Sequence, residues 1–142
     1  NIGIDPEVVI PARYNGLTVT EIGDRAFYEA RITSVSIPGS ITRIGESAFD
    51  GCMSLITVNI EKGVTVIEDS AFTYCFELSE IALPDGVTSI GNSAFRLCRN
   101  LEKISMLEIN EFNFEIIKDL PIFKSVADLN NINFEDLKQF DY

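Results

Sequence analysis

Three cysteines, Cys52, Cys75 and Cys98, recur at intervals of 23 residues. Thiols so placed could bind a metal, form a disulfide, act as nucleophiles or fill a core. Zinc takes four ligands and draws heavily on His, but the sequence has three Cys and no His. A nucleophilic thiol needs a base or a cation to form its thiolate, and the usual base is missing. A disulfide between neighbours would need suitable Cβ directions, and three is an odd number. A column of buried thiols acting as small apolar side chains meets none of these objections. That reading predicts slow labelling of the folded protein and three reactive thiols after denaturation.

The other candidate groups are the adjacent carboxylates Glu68-Asp69 and Glu135-Asp136. Neighbours on a turn seldom face one substrate, so both pairs read as solvated charge. No phosphate-cradling glycine loop, nucleophile elbow or calcium loop occurs. The sequence thus offers no catalytic, cofactor-binding or metal-binding residues, and the expectation is a non-enzymatic chain without cofactors.

Charge and composition narrow the partners. With 22 acidic and 11 basic residues the formal charge is −11, whereas a nucleic-acid binder needs a basic stripe to displace counterions. The longest apolar runs, such as Val8-Val9-Ile10, are far too short to span a bilayer, so neither nucleic acid nor membrane insertion is expected. The opening NIGIDPE has neither the basic start nor the apolar stretch of a secretory signal, which a processed chain would share. At 142 residues and 46% apolar content the chain can bury a core without staples. The negative charge is uneven: residues 1–106 hold 14 acids and 8 bases, 107–142 hold 8 acids and 3 bases.

The elements that carry these residues repeat. IGDRAF (22–27), IGESAF (44–49), IEDSAF (67–72) and IGNSAF (90–95) put Phe27, Phe49, Phe72 and Phe95 in register at spacings of 22, 23 and 23. Upstream lie Ile37-Pro38, Ile60-Glu61 and Leu83-Pro84, then Ile41-Thr42, Val64-Thr65 and Val87-Thr88. Downstream, the cysteines are followed by Leu55, Leu78 and Leu101, and then by the alternating runs ITVNI (56–60), SEIAL (79–83) and EKISM (102–106), with TSVSI (33–37) ahead of them. A period in the twenties marks a solenoid. Each unit is too small to bury its own apolar side, so coils about 4.8 Å apart must cover one another, pairing their strands into a parallel sheet. The Ser-Ala-Phe-x-x-Cys segment reads as one helical turn capped by Ser47, Ser70 or Ser93. Gly23, Gly45 and Gly91 read as easing the bend before it, although Glu68 at the same place shows that positive φ is not mandatory. The expected fold is an α/β solenoid, a right-handed coil with a short parallel sheet on one face and helical turns opposite.

The string IPGSITRIGESAFDGCMSLITVNI (37–60) resembles the BspA-like leucine-rich repeats of surface proteins from anaerobic bacteria, spirochaetes and some protozoan parasites. The resemblance covers roughly residues 8 to 106, with three near-complete copies agreeing at about ten positions each. The opening VVIPARYNGLTVTEIGDRAF (8–27) looks like a first unit with a five-residue excursion, Arg13 to Leu17. Departures are few: Ala30 replaces the first Cys, one residue is missing near Arg31, and Glu61 stands where Pro is usual. The resemblance implies a protein-binding module at the cell surface or secreted, with adhesion as its role. The implied partner is a host matrix or plasma protein, or another cell-surface protein.

A ligand would meet the outward residues of the parallel strands. Two rows stand out: Glu7, Ser34, Thr57, Glu80 and Lys103, and Val9, Ser36, Asn59, Ala82 and Ser105. They are small and mostly polar, without the Tyr, Trp and Arg anchors that dominate interface energetics. Five strands give a strip of roughly 250–300 Å², against about 800 Å² for a standard partner footprint. The strip therefore calls for added contacts at its edges or for a longer array.

After Met106 the pattern stops, with no further IGxxAF. NEFNFEII (110–117) alternates like a strand, Pro121 interrupts, and Ile122 to Asn130 reads as a helix. NFEDLKQFDY (133–142) follows, with Asn133 as N-cap and Phe134, Leu137 and Phe140 at near-helical spacing. The division expected is 1–106 as a solenoid of four to five coils and 107–142 as a non-repeat segment. That segment is either a mainly helical cap over the last coil or a surface docking a partner or a second copy, so self-association is a further expectation. Two other readings stay open: a structural or assembly element of a larger surface protein with no soluble ligand, and an intracellular regulatory repeat protein.

Overall fold

The computed structural model describes residues 6–101 and 103–105. Its first face is a five-stranded parallel sheet of β1 (Glu7–Val9), β5 (Ser34–Ile37), β7 (Thr57–Ile60), β9 (Glu80–Ala82) and β11 (Lys103–Ser105), in that order. A second parallel sheet stacks β4 (Glu21–Ile22), β6 (Arg43–Ile44), β8 (Val66–Ile67) and β10 (Ser89–Ile90). Each coil supplies one strand to the first sheet and a two-residue strand to the second. Consecutive coils pair in register, Ser34 with Thr57 and Val35 with Val58, so the 23-residue period becomes the step of the stack.

The excursion in the first unit is an antiparallel hairpin, β2 (Arg13–Tyr14) against β3 (Leu17–Thr18). Asn15 and Gly16 join the two strands at φ of 50° and 79°. Positive φ at both central positions is the backbone of a tight turn that matches strand twist, and Asn-Gly adopts it most readily.

Apolar residues of both sheets meet inside. Val35, Val58 and Ile81 point inward from the first sheet and Ile22, Ile44, Ile67 and Ile90 from the second, all buried. Between them runs the phenylalanine column. Rings of Phe27, Phe49, Phe72 and Phe95 stack with centroids 5.1, 5.1 and 5.6 Å apart and planes within 4° of parallel. Coil rise sets that spacing, since strands in a sheet lie about 4.8 Å apart.

The expected helical turns are not formed; the described residues contain no helix. In coil two, Ala48, Asp50 and Cys52 donate backwards to the carbonyls of Gly45, Ser47 and Phe49, three residues earlier, at 3.1–3.2 Å. The intervening Ser47, Phe49 and Gly51 donate to Asp69, Ala71 and Thr73 of the next coil at 2.8–3.0 Å. A helix would spend every N–H within its own segment. Here half of them are claimed by the neighbouring coil, which opens the segment into consecutive turns. Ser47, Ser70 and Ser93 therefore are not caps: they sit in the left-handed region at φ of 55°, 58° and 61°, which disfavours residues with a Cβ by about 1–2 kcal/mol. The inter-coil bonds hold them there. The helical cap expected beyond residue 106 lies outside the described residues.

The glycines before these turns also serve another purpose. Gly45 and Gly91 have no positive φ. A Cβ on Gly45 would stand 2.7 Å from the backbone nitrogen of Asp24, and one on Gly91 would collide with the nitrogen of Asp69. In both cases the Asp carboxylate accepts the N–H of the residue after the glycine, Glu46 at 2.9 Å and Asn92 at 2.7 Å. Close approach, not bending, selects the glycine. Glu68 is tolerated because its predecessor in the stack is followed by Glu46 rather than by an Asp.

Candidate functional site

Strand register sets the candidate face residues side by side on successive coils. Glu7 pairs with Ser34, Ser34 with Thr57, Thr57 with Glu80, and Glu80 with Lys103. Alongside, Val9 pairs with Ser36, Ser36 with Asn59, and Ser105 with Ala82. Alternation turns those of β1, β5, β7 and β9 outward while Val35, Val58 and Ile81 face the core. Glu7, Thr57, Asn59, Glu80 and Ala82 are exposed, Ser34 and Ser36 half-buried, and Val9 keeps 75% of its surface. The strip is flat, narrow and free of aromatics. The other expected docking residues, Phe134, Leu137 and Phe140, lie outside the described residues.

The thiols form the buried column. Cys52, Cys75 and Cys98 are free and fully buried. Each thiol donates to the carbonyl of the repeat phenylalanine in the preceding coil: Cys52 to Phe27 at 3.0 Å, Cys75 to Phe49 at 3.3 Å, Cys98 to Phe72 at 3.1 Å. Burial pushes the Cys52 thiol up to about 12. The Cys98 thiol beside Cys75 raises that group too, with burial adding to the effect. Neutral thiols locked into carbonyl bonds make poor nucleophiles. Among the described residues no group of three or more His, Cys, Asp or Glu side chains could hold a metal ion.

On the second sheet, Arg43 ties three coils together. Its Nε donates to Glu68 at 2.7 Å and Nη2 to Asp24 at 2.8 Å, with Glu21 at 3.7 Å. Arg43, and then the Glu46 N–H, hold the Asp24 carboxyl below its usual value. Glu61, where the repeat usually has Pro, accepts the Gly39 N–H of the preceding coil at 2.9 Å. That bond fits the substitution into the stack.

The aromatic anchors absent from the sheet face stand on the opposite edge, where the turns run. Tyr28, Met53, Tyr74 and Leu97 are exposed there. Tyr74 meets Phe76 edge-to-face at 5.8 Å, Arg99 lies over the Phe76 ring at 4.5 Å, and Arg25 over Tyr28 at 4.1 Å. The positions two and four after each stacked Phe change type from coil to coil, while the Cys between them recurs in coils two to four.

A family model described as the BspA type leucine rich repeat region matches residues 20–141 in six copies. The chain belongs to that family. Its match continues past residue 106, across the expected division. Among solved structures, a leucine-rich repeat protein from Bacteroides capillosus is 35% identical with a TM-score of 0.66, over 73% of this chain and 78% of that one. The T. pallidum leucine-rich repeat protein is 31% identical with a TM-score of 0.58, over 70% and 57%. The pneumococcal vaccine antigen PcpA is 28% identical with a TM-score of 0.61, over 67% of this chain and 24% of that antigen. This chain therefore spans about half of the treponemal protein and a quarter of the pneumococcal one. No curated protein matches the sequence. No helix among the described residues is long and apolar enough to cross a membrane.

Proposed function

We propose that this chain is a non-enzymatic protein-binding module, at the cell surface or secreted, whose repeat surface engages a host matrix or plasma protein or another cell-surface protein. One observation carries the reading. The coils lock together through their interior columns and backbone bonds, leaving outward side chains at fixed spacing. A rigid surface of that kind binds without paying an ordering penalty. Its relation to a pneumococcal vaccine antigen supports the surface location. Burial of the three thiols and their bonds to backbone carbonyls take the chain's candidate nucleophiles out of reach of a substrate.

The test is binding of the full chain to an immobilised panel of matrix and plasma proteins, with Thr57→Arg and Glu80→Lys variants on the sheet face. Saturable binding to at least one of them is expected. A flat response to every protein would refute the reading.

A second reading, an assembly element without a soluble ligand, draws on the first coil. Phe27, Val8 and Val19 are only half-buried there, and Tyr14 and Leu17 are exposed. Light scattering over a concentration series tests it: reversible oligomers together with no binding to the panel would favour assembly.

A further inference from the structure

The turn edge of the second to fourth repeats carries an inference that rests on the protein-binding reading and locates it. Residues two and four places after each stacked Phe are Gly51 and Met53, Tyr74 and Phe76, Leu97 and Arg99. Inter-coil bonds, Gly51 N–H to the Thr73 carbonyl and Tyr74 N–H to the Arg96 carbonyl, both 2.8–2.9 Å, set them side by side on consecutive coils. The core does not consume these side chains: Met53 is 52% exposed, Tyr74 40% and Leu97 36%. Arg96 and Arg99 are exposed as well, and neither forms an ion pair among the described residues. Glu77 is the one acidic neighbour in sequence, also exposed and also outside every ion pair described. On a chain of net charge −11, this partly exposed aromatic cluster carries two guanidinium groups outside every ion pair described, against Glu77 and the half-buried Asp50 of the same turns.

We propose that this corner, Met53, Tyr74, Phe76, Leu97, Arg96 and Arg99, is the docking site for a short acidic segment of a partner protein bearing an aromatic or large aliphatic side chain. Three observations converge on that occupant. A guanidinium lying over a ring, as Arg99 does over Phe76, keeps its N–H donors available for a carboxylate. Tyr and Arg are the residue types that concentrate binding energy. Three coils cover only about 10 Å between the outer two, too little for a globular face of about 800 Å² but enough for a few residues of extended peptide. A polyanionic glycan would satisfy the arginines, yet it would leave Met53, Tyr74 and Leu97 without an apolar partner.

The test is fluorescence anisotropy of the full chain with fluorescein-labelled octapeptides at about 50 mM salt, where exposed charges act over a longer range. The probe EEFEEFEE is compared with EEGEEGEE, KKFKKFKK and a heparin hexasaccharide. The acidic aromatic peptide should bind roughly tenfold more tightly than any control, and more weakly as salt rises. Tyr74→Ala and Arg99→Ala should each weaken it at least roughly fivefold, Arg99→Lys less, with unchanged circular dichroism. Equal binding of EEGEEGEE, tighter binding of the hexasaccharide, or no binding of any peptide would overturn the proposal. So would binding that appears only when Glu135, Asp136 and Asp141 are neutralised, which would assign the corner to the chain's own end. Binding to the protein panel that Thr57→Arg abolishes and Tyr74→Ala spares would sink this site while leaving the protein-binding reading intact.

Discussion

Replacing Phe72 by Ala removes the best-enclosed ring in the column. Phe72 is fully buried and stacks on two neighbours, Phe49 at 5.1 Å and Phe95 at 5.6 Å. A buried Phe→Ala change costs about 3–5 kcal/mol through lost transfer energy and the cavity left behind. Each aromatic pair adds about 0.5–1.5 kcal/mol beyond area, and Phe72 loses two, so the upper half of that range, about 4–5 kcal/mol, is expected. Phe27 is only half-buried and has one stacked neighbour. Its truncation should cost about half as much, roughly 2 kcal/mol. Because domains of this size hold about 5–15 kcal/mol in total, the Ala variant of Phe72 can lie close to unfolding. Phe72→Leu keeps most of the volume, loses both stacks, and should cost about 1–3 kcal/mol. Urea titration followed by circular dichroism measures all three. Equal losses at Phe27 and Phe72, or a loss below about 1 kcal/mol for Phe72→Ala, would refute the view that the ring column binds the coils together.

Gly91→Ala should destabilise by about 1–3 kcal/mol, because its Cβ meets the Asp69 backbone. Gly23→Ala, with nothing within 4 Å, should stay within about 0.5 kcal/mol by the same titration. The folded protein should react with a thiol reagent at least about a thousandfold more slowly than the denatured chain and then yield three thiols. The Cys52 pKa is raised from 9.0 to about 12, so its stabilising contribution is complete below pH 9 and is lost as pH rises toward 12. The slope should be about 1.4 kcal/mol per pH unit for that thiol, read as a fall of the urea midpoint above pH 9 that is shallower in a Cys52→Ala variant. Asp24, whose pKa is lowered from 3.8 by Arg43, contributes above that value and loses its contribution as pH falls below it. An Arg43→Gln variant should therefore differ from the parent chiefly above pH 4, and only slightly, since the pairs are exposed and screened.

Period and inward columns were legible because a repeat forces each buried position to recur. Phe27, Phe49, Phe72 and Phe95 could be placed in one column from spacing alone, as could the cysteines. The outward rows followed from alternation once the strands were in register. The turns were misread because Ser-Ala-Phe-x-x-Cys satisfies helical pattern rules locally, whereas its alternate N–H groups are claimed by a coil 22 or 23 residues away. No local rule sees that partner. Gly45 and Gly91 were misassigned for the same reason, since what selects glycine there is an Asp on the preceding coil. The hairpin could have been found: Asn15-Gly16 between two-residue extended pairs is a strong short-range turn signal. The aromatic edge at Tyr74, Phe76 and Arg99 is hard to see in the sequence because a repeat marks what stays fixed, and these positions vary from coil to coil.

Stacking divides the residues of each coil into two sets, and that division bears on where function resides. Phe, Cys, Leu and Ala positions of the repeat are consumed between coils, and so are the backbone donors of the turns. Changing any of them acts on stability first. The positions two and four after Phe72 and Phe95 hold Tyr74 and Phe76, then Leu97 and Arg99, all exposed or half-buried, and those after Phe49 hold the buried Gly51 and the exposed Met53. Glu29, Tyr74 and Leu97 even sit at positive φ, 57°, 62° and 60°, as Gly51 does at 79°. The stack thus imposes a strained backbone yet leaves the side chain there unspecified. A large exposed side chain at a position where glycine would relieve strain of about 1–2 kcal/mol is not explained by the fold. In coils three and four that side chain is Tyr or Leu, and the docking proposed for this edge would supply a reason that packing does not.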